Sequence, residues 1–292
     1  MLLLLGSIIF TSWLTLSFKL LEKFRISSFQ AIVFNYWTCV LTGSLVNGDH
    51  PFRPSIIYED WFMWELIMGV FFIIIFNIVA LTAQRIGVAV ASVANKLSLV
   101  IPFVVSIFLY NEKATSLKIL GVVIALAAVI LTCWPNAQNS NTKKNTWKNI
   151  FIFPLILFFG SGLLDTIIKY VEQAYLTDLN KNDFIVTSFA VAGFIGLLIF
   201  VFRVVKGYEK FDYRSIIAGL AIGIPNFFSI WCLIKVLKIY SNNSSAIIPI
   251  NNMGIVLFST LCAYLFFKEK LSAKNWWGVA LSLLAISFIA LG

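Results

Sequence analysis

The chain has a single histidine, His50, and four cysteines with no C-x-x-C pair among them. Zinc sites and thiol redox centres need clusters of such residues, so the sequence predicts neither a metal nor a cofactor. Charge is scarce too, at 12% of residues, where ordinary soluble domains carry roughly 25%. No phosphate loop of the form G-x-x-x-x-G-K-[S/T] occurs, which excludes ATP-driven pumping by this chain. Paired aspartates, a Ser/His couple and an H-E-x-x-H run are also missing, so an intramembrane enzyme is a poor reading.

What is present is apolar: 60% of the 292 residues are hydrophobic, and the mean hydropathy is +0.92. Crossing ~30 Å of hydrocarbon takes ~20 apolar residues. Hydropathy divides the chain into ten such spans, at 2–20, 29–46, 61–83, 88–110, 117–134, 150–170, 184–204, 215–236, 244–267 and 275–291. The lengths suit helices, and none shows the alternation of a barrel strand. The expected fold class is an all-α integral membrane protein with ten transmembrane helices. Cys39, Cys133, Cys232 and Cys262 all fall inside apolar segments, where a thiol packs as a small apolar group. The first apolar run has its charges after it rather than before it, so it reads as a spanning helix and not a cleaved leader.

Residues 135–149 are polar and without apolar period, and read as a linker between five spans before and five after. A second polar connection, 205–214, holds Lys206, Glu209, Lys210, Asp212 and Arg214. Shifting the first half by 157 places Ala89, Asn95, Glu112, Lys113 and Gly121 on Ala246, Asn252, Glu269, Lys270 and Gly278. Apolar helices match by chance, so the rare polar identities carry the weight. A shift of 150 places Thr11, Thr15 and Lys19 on Ser161, Asp165 and Lys169. Because five is odd, two such halves run in opposite senses through the membrane, a 5+5 inverted repeat of the kind transporters use. The expected organisation is a first repeat over 1–134, a cytoplasmic linker over 135–149 and a second repeat over 150–292.

The stretch IPFVVSIFLYNEKATSLKILGVVIALAAVIL, with Pro102 ten residues before Glu112 and Gly121 nine after it, resembles the fourth and fifth helices of an EamA-type repeat. The second copy, with Glu269 and Gly278, keeps the Glu-to-Gly spacing but has Ser259 in the proline slot and Pro249 ten residues earlier. EamA-type repeats belong to the drug/metabolite transporter superfamily. That resemblance implies ten helices, a central cavity between the halves, and export or exchange of small metabolites.

Polar residues inside hydrocarbon are costly and face protein or water. In span four, Ser92, Asn95 and Lys96 share one helix face with Ser106, interrupted by Pro102. Lys96 lies about eight residues, or ~12 Å, from the cytosolic end of its helix. It is a candidate contact for a substrate carboxylate or phosphate, the alternative being a lysine that snorkels into cavity water. Span nine presents Asn252 and Ser259 beside Asn251, with Pro249 freeing a backbone carbonyl. Asn252 both donates and accepts and suits a zwitterion or polyol; interhelical hydrogen bonding is the competing role. Asn77, Asn226 and Tyr36 complete the candidate binding set, with helix packing as their alternative. Asp165 is the one carboxylate well inside a predicted span and the candidate proton-coupling group, unless it simply pairs with Lys169 four residues on. Pro102 and Pro249 are candidate hinges for alternating access. Glu112 and Glu269 stand at helix ends and read as groups that fix short loops.

The leading functional reading is a secondary transporter, moving an amino acid or related organic acid by export or exchange. A sugar or nucleotide-type metabolite transporter of the same superfamily is the alternative, and a receptor or channel fits the inverted repeat poorly. The expected partners are a small-molecule substrate, the bilayer and protons, with no nucleic acid; the sequence leaves monomer or dimer open. The basic residues behind the net charge of +9 sit in short loops, thirteen on the side away from the termini and six on the terminal side. That bias predicts both termini outside the cytoplasm of a bacterial inner membrane. A cysteine placed at Asn141 in the linker should therefore react in intact cells only with a membrane-permeant reagent, and labelling by an impermeant one overturns this topology.

Overall fold

The computed structural model describes residues 1–48, 54–109, 115–134, 146–177, 180–240 and 244–291. His50, Glu112, Lys113 and residues 135–145 lie outside the described residues. The chain runs through α1 (Leu2–Lys23), α2 (Ser28–Asn47), a 3-10 turn (Pro54–Tyr58), α3 (Phe62–Arg85), α4 (Val88–Leu97), α5 (Val100–Leu109) and α6 (Ser116–Thr132). It continues through α7 (Thr146–Tyr175), α8 (Lys181–Val205), α9 (Arg214–Ile239), α10 (Ser244–Phe266) and α11 (Ala273–Leu291). Among the described residues no strand occurs, as expected where hydrocarbon offers open strand edges no partner.

Nine helical stretches are long and apolar enough to span a membrane, with Val88–Leu109 counted as one. The tenth, α6, has 17 residues and measures about 26 Å, slightly less than the ~30 Å core. The chain is an integral, multi-pass membrane protein. Two elements differ from the hydropathy reading. Span four breaks at Ser98–Leu99, between α4 and α5. Pro102 has no N–H to give the Ser98 carbonyl, which instead accepts from Ile101 at 2.9 Å, a tighter turn. The helix α7 starts at Thr146, taking in the end of the polar segment, and runs to Tyr175 through Pro154.

The chain divides into two compact units, each drawing on both halves of the sequence. Residues 1–19, 78–163 and 228–292 form the first, and 20–77 with 164–227 the second. In the first unit α6 packs on α11 and α4 on α10, around an apolar cluster containing Val93, Leu97, Ala128, Val256 and Ile286. The α6–α11 contact is made by glycine at both ends. A Cβ on Gly121 would lie 2.8 Å from Ile289 Cγ1, and one on Gly278 would overlap the backbone of Thr132. Asn275 closes the same seam, its Nδ2 donating to the Thr132 and Trp134 carbonyls at 2.7 and 2.9 Å. Glu269 accepts from the Val88 N–H at 2.9 and 3.1 Å and so caps α4. The preceding Gly87 has φ 149° and sits against that carboxylate, where a side chain would be strained and crowded.

In the second unit α2 packs on α8, and two parallel seams flank that pair. Along α3 and α8, Trp61 stacks edge-on with Phe184, Glu65 meets Ser188, Gly69 approaches Ala192, and Ile73 meets Gly196. Each step is four residues on both helices. Along α2 and α9, Gly219 and Gly223 bring α9 onto the Asn35 backbone, and Cys39 donates to the Gly223 carbonyl at 3.3 Å. The charged loop after α8 is tied down by buried Gln30, which donates to Glu209 and to the Lys210 carbonyl and accepts from the Asp212 N–H. Glu209 also pairs with Arg203 at 3.2 Å. Hydrogen bonds from Arg214 hold the half-buried Asp212 carboxyl below the usual carboxylate range.

Overpacking a helix seam costs about 1–3 kcal/mol. Gly278→Val should therefore lower the thermal unfolding midpoint of the detergent-purified protein, while Gly6→Ala, whose Cβ would meet only side-chain atoms, the nearest at 3.3 Å, should cost less. Equal midpoints for Gly278→Val and wild type would contradict the close α6–α11 approach.

Candidate functional site

The candidate residues fall into two groups, one in each unit. In the first unit Ser92 and Ser259 are buried, and their hydroxyls meet at 2.8 Å between α4 and α10. One turn along α4, Asn95 donates to the hydroxyl of buried Ser161 on α7 at 2.9 Å. Lys96 is half-buried on the next residue, just before the helix break, and Ser98 donates back to the Asn95 carbonyl at 2.5 Å. On α10, Asn251 is 3% exposed, and its side-chain oxygen has no hydrogen-bond partner among the described residues. Asn252 beside it is half-buried. Pro249 lies within the unbroken α10, whereas Pro102 sits at the α4–α5 break. A polar row thus runs through an apolar cluster, where a donor or acceptor left unsatisfied is expensive. It offers hydroxyls, amides and one ammonium group to a small polar ligand.

In the second unit Asn226 donates to Asn35 Oδ1 at 3.1 Å between α9 and α2, both side chains buried. Tyr36 is wholly buried against Phe72, Phe76 and Phe189, and its hydroxyl donates to the Phe72 carbonyl at 3.0 Å. Asn77 donates to the Ile73 carbonyl of its own helix at 2.7 Å. These three make the helix-to-helix and within-helix bonds that were the alternative to ligand binding. Asp165 stands at the protein surface on α7, whereas Glu65 is enclosed.

Three residues stand out here that sequence reading passed over or barely touched. No motif or spacing marks Asn35 in the sequence, and Ser161 enters only through the shift of 150. Glu65 lies in the first turn of α3, where an acidic residue ordinarily reads as an interfacial group, yet it is fully buried and bonded to Ser188. Its spacing of four from Trp61 was the one available signal.

Residues 149–291 match the EamA-like transporter family, within the drug/metabolite transporter superfamily. The match takes in nearly all of the second half of the chain. The chain is 26% identical over 272 residues to an uncharacterized protein of Haemophilus influenzae, covering 92% of this chain and 90% of the relative. A crystal structure with 14% sequence identity superposes with a TM-score of 0.62 over 99% of this chain and 96% of its own. At that identity the likeness establishes the fold along nearly the whole length.

A hydrogen bond between helices in membrane proteins averages about 0.6 kcal/mol, with a maximum near ~1.7. A double-mutant cycle on Ser92→Ala and Ser259→Ala should give a coupling in that range in unfolding measurements. Fully additive effects would mean that the two hydroxyls do not bond.

Proposed function

We propose that this EamA-type membrane protein is a secondary transporter for an amino acid or related organic acid. The row on α4 and α10 in the first unit carries this reading: Ser92, Asn95 and Lys96 on one helix, Asn251, Asn252 and Ser259 on the other. Lys96 supplies a cation for a carboxylate, and the unpartnered oxygen of Asn251 supplies an acceptor for an ammonium group. Neutral hydroxyls between them suit a ligand with both charges more than one with a single large anionic group.

Movement follows alternating access driven by gradients, since no nucleotide loop is present. The pairing of α6 with α11, α4 with α10 and α2 with α8 supports the inverted repeat, because each joins a span to the one five later. The glycine contacts support it further. Exchanging Gly121 with Gly278 and Ile289 with Thr132 by the same shift of 157 carries one contact onto the other. In this reading 1–134 and 150–292 are the repeats, Pro102 and Pro249 lie at the bends, and both termini face away from the cytoplasm of a bacterial cell membrane.

The test is counterflow of radiolabelled amino acids in proteoliposomes without ATP, preceded by a thermal-shift screen. A ligand at 100 times its dissociation constant adds about 2.7 kcal/mol of stability. Lys96→Met keeps the length and removes the charge. It should lower transport at least tenfold, about 1.4 kcal/mol, and unchanged kinetics would remove Lys96 from the site.

A further inference from the structure

Glu65 has no place in the row on α4 and α10, yet it is the most deeply enclosed carboxylate described. It sits one turn inside α3, is 0% exposed, and its Oε1 lies 2.8 Å from the Ser188 hydroxyl of α8. Its other oxygen has no hydrogen-bond partner among the described residues. On the same two elements, Trp61 Nε1 just before α3 and Thr187 Oγ1 on α8 are likewise buried without partners among the described residues. Ser188 Oγ also lies 3.0 Å from the carbonyl of Phe184. A serine has one hydrogen to donate, and here it has two acceptors.

A hydrogen on the carboxyl gives each of these two contacts a donor of its own. Glu65 then donates to Ser188, and Ser188 donates to the Phe184 carbonyl, completing a chain from side chain to backbone. With the carboxylate ionised, Ser188 must turn its hydrogen to Glu65 and release that carbonyl. Charged groups also occur on the packed elements α7 and α8 and just before α3. Lys181 of α8 pairs with Glu172 of α7 at 3.1 Å, and Asp183 stands in the first turn of α8. On α7, Asp165 and Lys169 share a helix face, while Tyr170 packs on Trp64. Glu59 and Asp60 precede α3. Trp61, Phe184, Met68 and Val171 enclose the carboxyl in an apolar cluster. A shift of 150 sets Glu65 on Ser215 and Gly69 on Gly219, so the counterpart position in the other half has no acid.

We propose that Glu65, with Ser188 as its switching partner, is a proton-binding site of this transporter, taking one proton from water as its carboxylate becomes a carboxylic acid. This deepens the transport reading by naming its coupling ion and locating the site on α3 and α8. The acid on one side only gives the cycle a single protonation step, occurring when the α3–α8 seam admits water.

The first test needs no substrate. Infrared spectra of the purified full-length protein at about pH 7.5, where an exposed glutamate is ionised, should contain the carbonyl stretch of a buried carboxylic acid. Glu65→Gln should abolish that band, and Ser188→Ala should shift its frequency while leaving it present. If neither variant changes the band, or none is found in wild type, the site does not bind a proton. In proteoliposomes, an imposed pH gradient should accelerate amino acid uptake by wild type and not by Glu65→Gln; equal acceleration in both overturns the coupling. Absence of amino acid transport in wild type would count against the transport reading alone, since the infrared result stands without it.

Discussion

Close backbone approach at small residues is the constraint on which the rest of this structure depends. Lipid tails are as apolar as leucine, so burial alone gives two spans no reason to prefer each other. Dispersion between well-fitted surfaces and a few hydrogen bonds must do it. The α6–α11, α3–α8 and α2–α9 contacts all bring one helix backbone against another at a glycine, and each places a polar bond nearby. Asn275 reaches the end of α6, Ser188 reaches Glu65, and Asn226 reaches Asn35. Wider helices would leave these groups stranded in hydrocarbon. The polar chemistry is thus conditional on the small residues.

The architecture was legible because the solvent is so restrictive. Ten apolar runs of the right length can be little else than helices, and the five-plus-five spacing follows from the polar stretch at 135–149. The break at Ser98–Leu99 was partly visible in Pro102, although hydropathy averages over it. Which neighbours a face meets was not visible. Asn95 and Asn252 read as equivalent positions in the two halves, yet Asn95 meets Ser161, and Ser92 meets Ser259. Periodicity assigns a residue to a side of its helix and says nothing of the helix opposite. Glu65 shows the limit most clearly. Four residues into an apolar run, it has the signature of an interfacial acid, and only the approach of α8 encloses it.

The two units also differ in how their polar residues are spent. In the second, Tyr36 and Asn77 donate to backbone carbonyls and Asn226 to Asn35, while Glu65, Trp61 and Thr187 each keep a buried polar atom without a partner among the described residues. In the first, Asn251 keeps an unpartnered oxygen, and hydroxyls face each other across α4 and α10. Hydroxyl pairs exchange partners by rotation at little cost, whereas a tyrosine locked among three rings does not.

The four-residue repeat along α3 and α8 has a mechanical corollary. A straight helix turns through 3.6 residues, so contacts recurring every fourth residue drift around it. Two helices follow such a drift together only by crossing at a marked angle, near −40° to −50°. On this seam the α8 backbone comes into contact distance of α3 at Gly69, by Ala192, and two turns away the rings of Trp61 and Phe184 meet edge-on. Such a crossing is a fulcrum. A tilt of about ten degrees there displaces a group one turn away by about 1 Å and a group two turns away by about 2 Å. The Glu65–Ser188 bond sits on the short arm and the aromatic pair on the long one. Small rotations thus strain a hydrogen bond whose tolerance is a few tenths of an ångström, while the rings slide with little resistance.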